Sequence, residues 1–551
     1  MLSQTTQGEP FLMRTTPSPS RRPSLRPSRV SGRPLVAWSF TSVLLALVVL
    51  GLSHCGKPAG PSVVVIGLDG ATWERIDPWI ESGKLPNLAA LRSRSAYGPL
   101  NSVLPCLSPP AWTSATTGVN PGRHGIFDFQ KRLSMSPSIV PETARSRRTE
   151  PIWNFLKGQG PRVCVINVPM TDPVDEVDGV MVSGFPHLDQ QNWVWPKERR
   201  TEIEAMGYLR DRMEMRLPEG EEQAVLDSLL QIQEKRFELA KKLYQEERWG
   251  LFWVVFTQTD RVQHLYWKFD DPENPAYDPE LAARFGGSIE KLWVRCDELL
   301  GELLALIPED THILVLSDHG FGPIHREFRA GNYLRTEESG LSPEEADDVY
   351  SVDPSDAARL YVRRIQRDPG ATRTSEQARE LEAKLAASLR AVRDPATGRS
   401  PFDLVARQEK IFVGKEAEAG PNIDISPAYG YFVPLGDLEE GYQLPVFGDP
   451  RSSLSGWHRM NGIVMMAGPN VQPGPLPADE SYGLLDIVPT ALYLMDHAIP
   501  EDLYGKVIAT GIRPGYWQSH PPVRKGLVAT EDRQLTPEEL EKLHGVPYIG
   551  G

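Results

Sequence analysis

Four stretches of this chain are apolar almost without interruption, and they restrict the possible folds more than any other feature: SVVVIGL at 62–68, RVCVINV at 162–168, LFWVVF at 251–256 and HILVLS at 312–317. None alternates apolar with polar residues as a half-exposed strand would. Each is therefore expected to be a strand buried on both faces, the mark of a parallel sheet. Two long segments with apolar residues at three- and four-residue spacing, EEQAVLDSLLQIQEKRFELAKKLYQEE and SIEKLWVRCDELLGELLALI, each precede one of these runs and predict helices. GIVMMAG at 462–468 followed by LLDIVPTALYLM predicts a last strand and helix. Strands alternating with such helices imply an α/β fold, a doubly wound and mostly parallel sheet.

The 551 residues suffice for one such domain with insertions, or for two to three ordinary domains. Residues 325–455 break the alternation: one charged helix, SEQARELEAKLAASLRAVRD, lies between Pro- and Gly-rich stretches. We read them as an inserted cap region dividing the core into 57–324 and 456–511, with 512–551 an irregular tail. Residues 1–56 differ again. A basic stretch rich in Ser, Pro and Thr leads into PLVAWSFTSVLLALVVLGLS, uncharged from 34 to 53. This suits a signal peptide or a membrane span with its N-terminus cytoplasmic. The expected partner of this segment is the membrane, and the expected location is the cell envelope, at the outer face of the cytoplasmic membrane or in the periplasm. GLSHC at 51–55 is similar to a lipoprotein cleavage box ending at Cys55, although His54 occupies a position for small residues. Cleaved signal, lipoprotein signal and uncleaved anchor all stay open.

A net charge of -14 gives no general electrostatic reason to bind nucleic acid, so no nucleic-acid partner is expected and an anionic ligand must be captured locally. The chain has 4 cysteines and no C-x-x-C, which implies neither a disulfide framework nor a thiolate zinc site.

Ligands of open α/β sheets bind beyond the carboxyl ends of the strands. Asp69 follows the first apolar run and Asp318 the fourth, while Asp260 lies four residues past the third. Asp260 and His264 are spaced to share one face of a helical turn, and His319 adjoins Asp318 in a strand-end loop. His458 arrives just before the last strand. Taken singly, each has an ordinary explanation as a capping, turn or surface residue. Together they offer the oxygen and nitrogen donors that zinc, and less tightly manganese, prefer. Ser108 precedes two prolines and a stretch of helical length ending at Gly118, so it is expected at or beside a helix N-cap, where an alkoxide or phosphate is favoured. Arg123, His124 and His325 are left out of the site as turn contacts.

Five motifs in order, IGLDGATWERIDPWIESGKLPNLAAL, LSPPAWTSATTGVNPGRHGIFDF, FTQTDRVQH, SDHGFGP and GWHRMNGIVMMAGP, resemble the alkaline phosphatase superfamily. The likeness is to its type I phosphodiesterase/nucleotide pyrophosphatase branch, in particular bacterial proteins of predicted phosphohydrolase or phosphomutase type, and runs from about residue 63 to 507. The resemblance implies two divalent metal ions, zinc or manganese. One would be held by Asp260, His264 and His458; the other by Asp69, Asp318, His319 and the nucleophile oxygen of Ser108. Two features depart from the nucleotide pyrophosphatases, which carry a threonine nucleophile and an asparagine three residues later. This chain has Ser108 and Ala111, so nucleotide substrates are not implied. The sulfatase branch is not matched, since CLSPPAW lacks the C-x-P-x-R signature.

The expected activity is hydrolysis of a phosphate mono- or diester through a phosphoseryl intermediate. A phosphomutase or phosphotransferase could use the same site, and a non-catalytic envelope binding protein is the contrasting class. Selectivity is expected from the insertion and from the loops around Trp112, Trp193 and Trp195.

Overall fold

The apolar runs become strands in the computed structural model, which describes residues 62–211, 215–353, 355–356, 358–436 and 443–526. In chain order these are β1 (Val63–Leu68), β2 (Ala96–Asn101), β3 (Val163–Ile166), β4 (Gly179–Val182), β5 (Val194–Trp195), β6 (Leu251–Phe256), β7 (His312–Leu316) and β8 (Gly320–Phe328). They are followed by β9 (Val349–Tyr350), β10 (Arg359–Val362), β11 (Phe402–Arg407), β12 (Ile423–Pro427), β13 (Gly456–Arg459), β14 (Asn461–Ala467) and β15 (Gly474–Pro475). Among the described residues, a nine-stranded sheet runs β15-β2-β14-β7-β1-β6-β3-β4-β5. Its centre is parallel, with Val63 beside both His312 and Leu251. The GIVMMAG run, as β14, is antiparallel to both its neighbours, and β5 is antiparallel to β4.

Side chains of β1 alternate between two cores. Val64, Ile66 and Leu68 join one, and Val63 and Val65 the other. Both faces are covered, which explains why these strands read as continuous rather than alternating apolarity. Each such side chain contributes about 1.5–3 kcal/mol by leaving water. Helices among the described residues include α1 (Ser108–Thr117), α2 (Glu222–Glu246), α3 (Gln258–Asp270), α4 (Ser288–Leu304), α5 (Ser375–Ala391) and α6 (Ile487–Leu494). Leu226 and Phe237 of α2 and Leu292 and Leu299 of α4 pack on one face, and Trp112 of α1 and Ile487 of α6 on the other. The sheet is thus doubly wound.

Between β8 and β13 the chain builds a second, four-stranded sheet in the order β9-β10-β12-β11, antiparallel throughout. Helix α5 covers it and shares a core with it that includes Leu360, Leu381, Leu385 and Ile423. Strands β8 and β13, which flank this insertion, pair with one another, Phe321 opposite His458.

Among the described residues no helix is long and apolar enough to cross a membrane. The expected apolar segment at 34–53 and the Cys55 box lie outside the described residues. So does the tail beyond residue 526; before it, Pro514–Ser519 is helical.

Candidate metal centre

Three carboxyl ends of the central sheet deliver the acids. Asp69 follows β1, Asp318 follows β7, and Asp260 lies in the first turn of α3, which starts directly after β6. All are buried, as are His264, His319 and His458. The structure brings them together in two groups, Asp260 with His264 and His458, and Asp69 with Asp318 and His319; within each, one donor atom per residue lies within 4.8 Å of the others.

The hydrogen bonds orient every imidazole the same way. His264 Nδ1 is 2.9 Å from the Gly456 carbonyl, His458 Nδ1 is 3.1 Å from that of Cys106, and His319 Nδ1 is 3.1 Å from that of Gly320. A carbonyl only accepts, so each Nδ1 carries the proton and each neutral ring turns an Nε2 lone pair inward. His264 Nε2 and His458 Nε2 face one another at 3.0 Å, and Asp260 Oδ1 lies 3.3 Å from the first and 3.5 Å from the second. Two lone pairs and a carboxylate oxygen in contact repel unless a cation lies among them. In the other group His319 Nε2 is 3.3 Å from Asp318 Oδ2 and 3.6 Å from Asp69 Oδ1. Asp69 Oδ1, Asp260 Oδ1 and Asp318 Oδ2 are all buried without a hydrogen-bond partner. These orphaned oxygens and inward lone pairs fit a pair of divalent cations.

The electrostatics agree. Burial, and then the neighbouring Asp318 and Asp260, push the Asp69 carboxyl well above the usual range. Burial and then Asp260 carry Asp318 up to about 7. For Asp260 burial acts in the same direction but is outweighed by His264, then His458 and Arg261, which hold it well below. Burial lowers His319 and His458 to about 4, which keeps both rings neutral and able to ligate.

Ser108 is the first residue of α1, after an extended Leu107, and its Oγ is 3.3 Å from His319 Nε2. Pro109 and Pro110 occupy the turn where no intrahelical donor is needed. Trp112, one turn on, donates its indole N–H to Asp69 Oδ2 at 3.0 Å. Gly67 in β1 makes room for that ring: a Cβ there would lie 2.4 Å from it.

A cavity of about 380 Å³ opens beside Ser108, His264 and His458. Its walls include Arg261, Phe432 and Trp457, and the insertion contributes Asp353, Asp356 and Arg359. Trp112, Trp193 and Trp195 do not line it themselves, although Leu107 and Ser108, in the stretch leading into Trp112, do. Trp112 is fully buried in the core, Trp193 stacks on Tyr208, and Trp195 donates to the Val177 carbonyl. The residues left out of the site have structural partners. Arg123 pairs with Asp502, His124 Nε2 lies 2.9 Å from Ser114 Oγ, and His325 Nε2 lies 2.6 Å from Asp271 Oδ2. Sequence reasoning missed Arg261 and Trp457, although each adjoins a candidate ligand in the quoted motifs, and it missed Arg359, which no motif marks.

Solved structures of low sequence identity share this architecture. Phosphonoacetate hydrolase from Sinorhizobium meliloti 1021, in complex with phosphonoacetate, is 17% identical over 80% of this chain and 96% of its own, with a TM-score of 0.51. A mutant of the alkaline phosphatase PafA is 12% identical over 83% of this chain and 100% of its own, with a TM-score of 0.52. The fold is that of the alkaline phosphatase superfamily. Within it, the model of the type I phosphodiesterase / nucleotide pyrophosphatase family matches residues 63–434, and the chain belongs to that family. It is accordingly a phosphoryl hydrolase, of a metal-dependent family. No curated protein sequence matches the chain.

Proposed function

We propose that this protein hydrolyses phosphate mono- or diesters of the cell envelope through a phosphoseryl intermediate, held at the outer face of the cytoplasmic membrane by its N-terminal segment. The observation that carries the metal-dependent reading is the 3.0 Å approach of two acceptor nitrogens, His264 Nε2 and His458 Nε2, beside orphaned carboxylate oxygens. Asp260, His264 and His458 would hold one ion, and Asp69, Asp318, His319 and Ser108 the other, with zinc favoured over manganese by the nitrogen donors. When bound, two divalent ions supply the positive charge and Lewis acidity for in-line displacement at phosphorus.

The chain supplies the rest. Ser108 Oγ attacks the phosphorus, a P–O bond to serine forms, the bond to the leaving oxygen breaks, and the proton given up by the serine hydroxyl ends on the released alcohol. Ser108 is placed for this attack at the first position of α1, after an extended Leu107. Water then attacks the phosphoseryl phosphorus from the opposite side, releasing phosphate or a monoester and regenerating Ser108. Burial of Ser108, which is 5% exposed, limits water at the nucleophile until the ester is seated.

Full-length protein should contain about two metal ions per chain by elemental mass spectrometry and turn over bis- or mono-p-nitrophenyl phosphate. Chelation should abolish turnover and zinc restore it. Ser108→Ala should lose at least about 1,000-fold in kcat with the Asp260 group still loaded. Full diesterase turnover by that variant would refute the covalent route.

A further inference from the structure

A serine nucleophile at a helix start ordinarily has the first backbone N–H groups of the helix available to bind phosphoryl oxygens. Helix α1 has little to offer. Its second and third residues, Pro109 and Pro110, carry no N–H, and the Ala111 N–H is taken by the Leu107 carbonyl at 3.0 Å. The Ala111 side chain is a methyl. Beyond the N–H of Ser108 itself, the helix start offers the phosphoryl oxygens no free backbone donor, so further donors have to come from another wall.

Two cations line the cavity among the described residues. Arg359 is fully engaged: its Nε lies 2.7 Å from Asp128 Oδ2, and a second nitrogen lies 2.8 Å from Asp356 Oδ2. Arg261 is only 8% exposed, yet its contacts are weak, a 2.9 Å approach to the Met215 thioether and a long 3.4 Å contact to Asp260 Oδ2. Its Nε is buried with no partner. A thioether is a poor acceptor, so this guanidinium stands desolvated and, among the described residues, undersatisfied in the wall of the cavity that Ser108 also lines. The ring of Phe185, 5.8 Å from its Cζ, supports the side chain from behind.

We propose that Arg261 is a catalytic residue that donates to the non-bridging phosphoryl oxygens of the substrate and of the phosphoserine. A planar fork suits two oxygens of one tetrahedral group, and in a desolvated cavity such charge-assisted bonds are strong. The assignment rests on the phosphoesterase reading, and the experiment separates the two. Zinc-loaded full-length wild type, Arg261→Met and Arg261→Lys are compared for inorganic phosphate affinity by calorimetry, bound metal, and kcat and KM on p-nitrophenyl esters. Met preserves the packing on Phe185 and Met215; Lys preserves the charge but not the fork. The expected result is unchanged metal content, phosphate affinity weakened about 10- to 100-fold in Arg261→Met, kcat/KM reduced by a similar factor, and partial recovery of both in Arg261→Lys. Unchanged phosphate affinity in Arg261→Met overturns the assignment whatever the turnover. A wild type that binds phosphate through Arg261 but cleaves none of these esters keeps Arg261 as a phosphate-binding residue and overturns both its catalytic role and the phosphoserine route. A metal-loaded wild type that binds no phosphate overturns both.

Discussion

Asp424 should make this protein lose stability as pH rises, and replacing it with asparagine should remove that loss. Asp424 lies on β12 opposite Arg359 of β10, is 2% exposed, and has its Oδ2 without a partner. Arg359 already faces Asp128 and Asp356, so one guanidinium serves three buried carboxyls. Burial pushes Asp424 from 3.8 up to about 7; Arg359 offsets part of the rise, and Asp356 and Asp128 add to it. The folded protein thus keeps this proton to about pH 7, whereas the unfolded chain releases it near 3.8. The stabilising effect of the bound proton is full below pH 3.8 and lost as pH climbs through about 7, a difference of about 4 kcal/mol, of which about 3 kcal/mol falls between pH 5 and pH 8. Asparagine has nearly the same shape and no charge at either pH. Any cost of its unpaired amide, about 1–3 kcal/mol, is therefore the same at both. Urea unfolding of wild type and Asp424→Asn at pH 5 and pH 8, at constant ionic strength, reads the effect directly. The variant should gain about 3 kcal/mol on wild type between the two conditions. A stability difference that does not change with pH would refute the reasoning.

Two further predictions follow from other contacts. Trp112→Phe removes the indole donor to Asp69 Oδ2 together with the outer ring atoms that approach Gly67, and metal competition assays should detect affinity about 10- to 100-fold weaker. Arg236 is fully buried and pairs with Asp211 at 2.7 Å; Arg236→Met strands that carboxylate and should cost about 3–5 kcal/mol in urea unfolding at pH 7. Because pairing with Arg236 holds Asp211 well below its usual range against the opposing effect of burial, protonation at acid pH should relieve part of the variant's deficit.

Much of the architecture could be read because burial on both faces writes itself into β1, β6 and β7 as unbroken apolarity. Direction is not written that way: β14 looks the same in sequence whether parallel or antiparallel, and only its partners Leu316 and Leu100 fix its sense. The acids were legible because strand ends in such sheets converge, and the Asp260–His264 spacing because a helical turn repeats at four residues. Arg359 could not be placed. Its partner Asp128 is 231 residues away, and neither sits in a periodic pattern. RVCVINV is shorter as a strand than its apolarity suggests, because Asn167 adopts a positive φ of 55° and turns its amide toward the Val255 carbonyl and Asp211. The seat of Trp112 was not legible, because the space for its ring is left by Gly67, in a distant segment.

The two strands that flank the insertion, β8 and β13, are zipped to each other beside His319 and His458, so the intervening 330–454 segment hangs from a closed clasp. The entropy of closing a loop grows only slowly with its length, and here the ends are already fastened by backbone bonds. A change in the length of this module therefore adds little to the entropic cost of bringing its ends together, and leaves the strand pairing beside His319 and His458 in place.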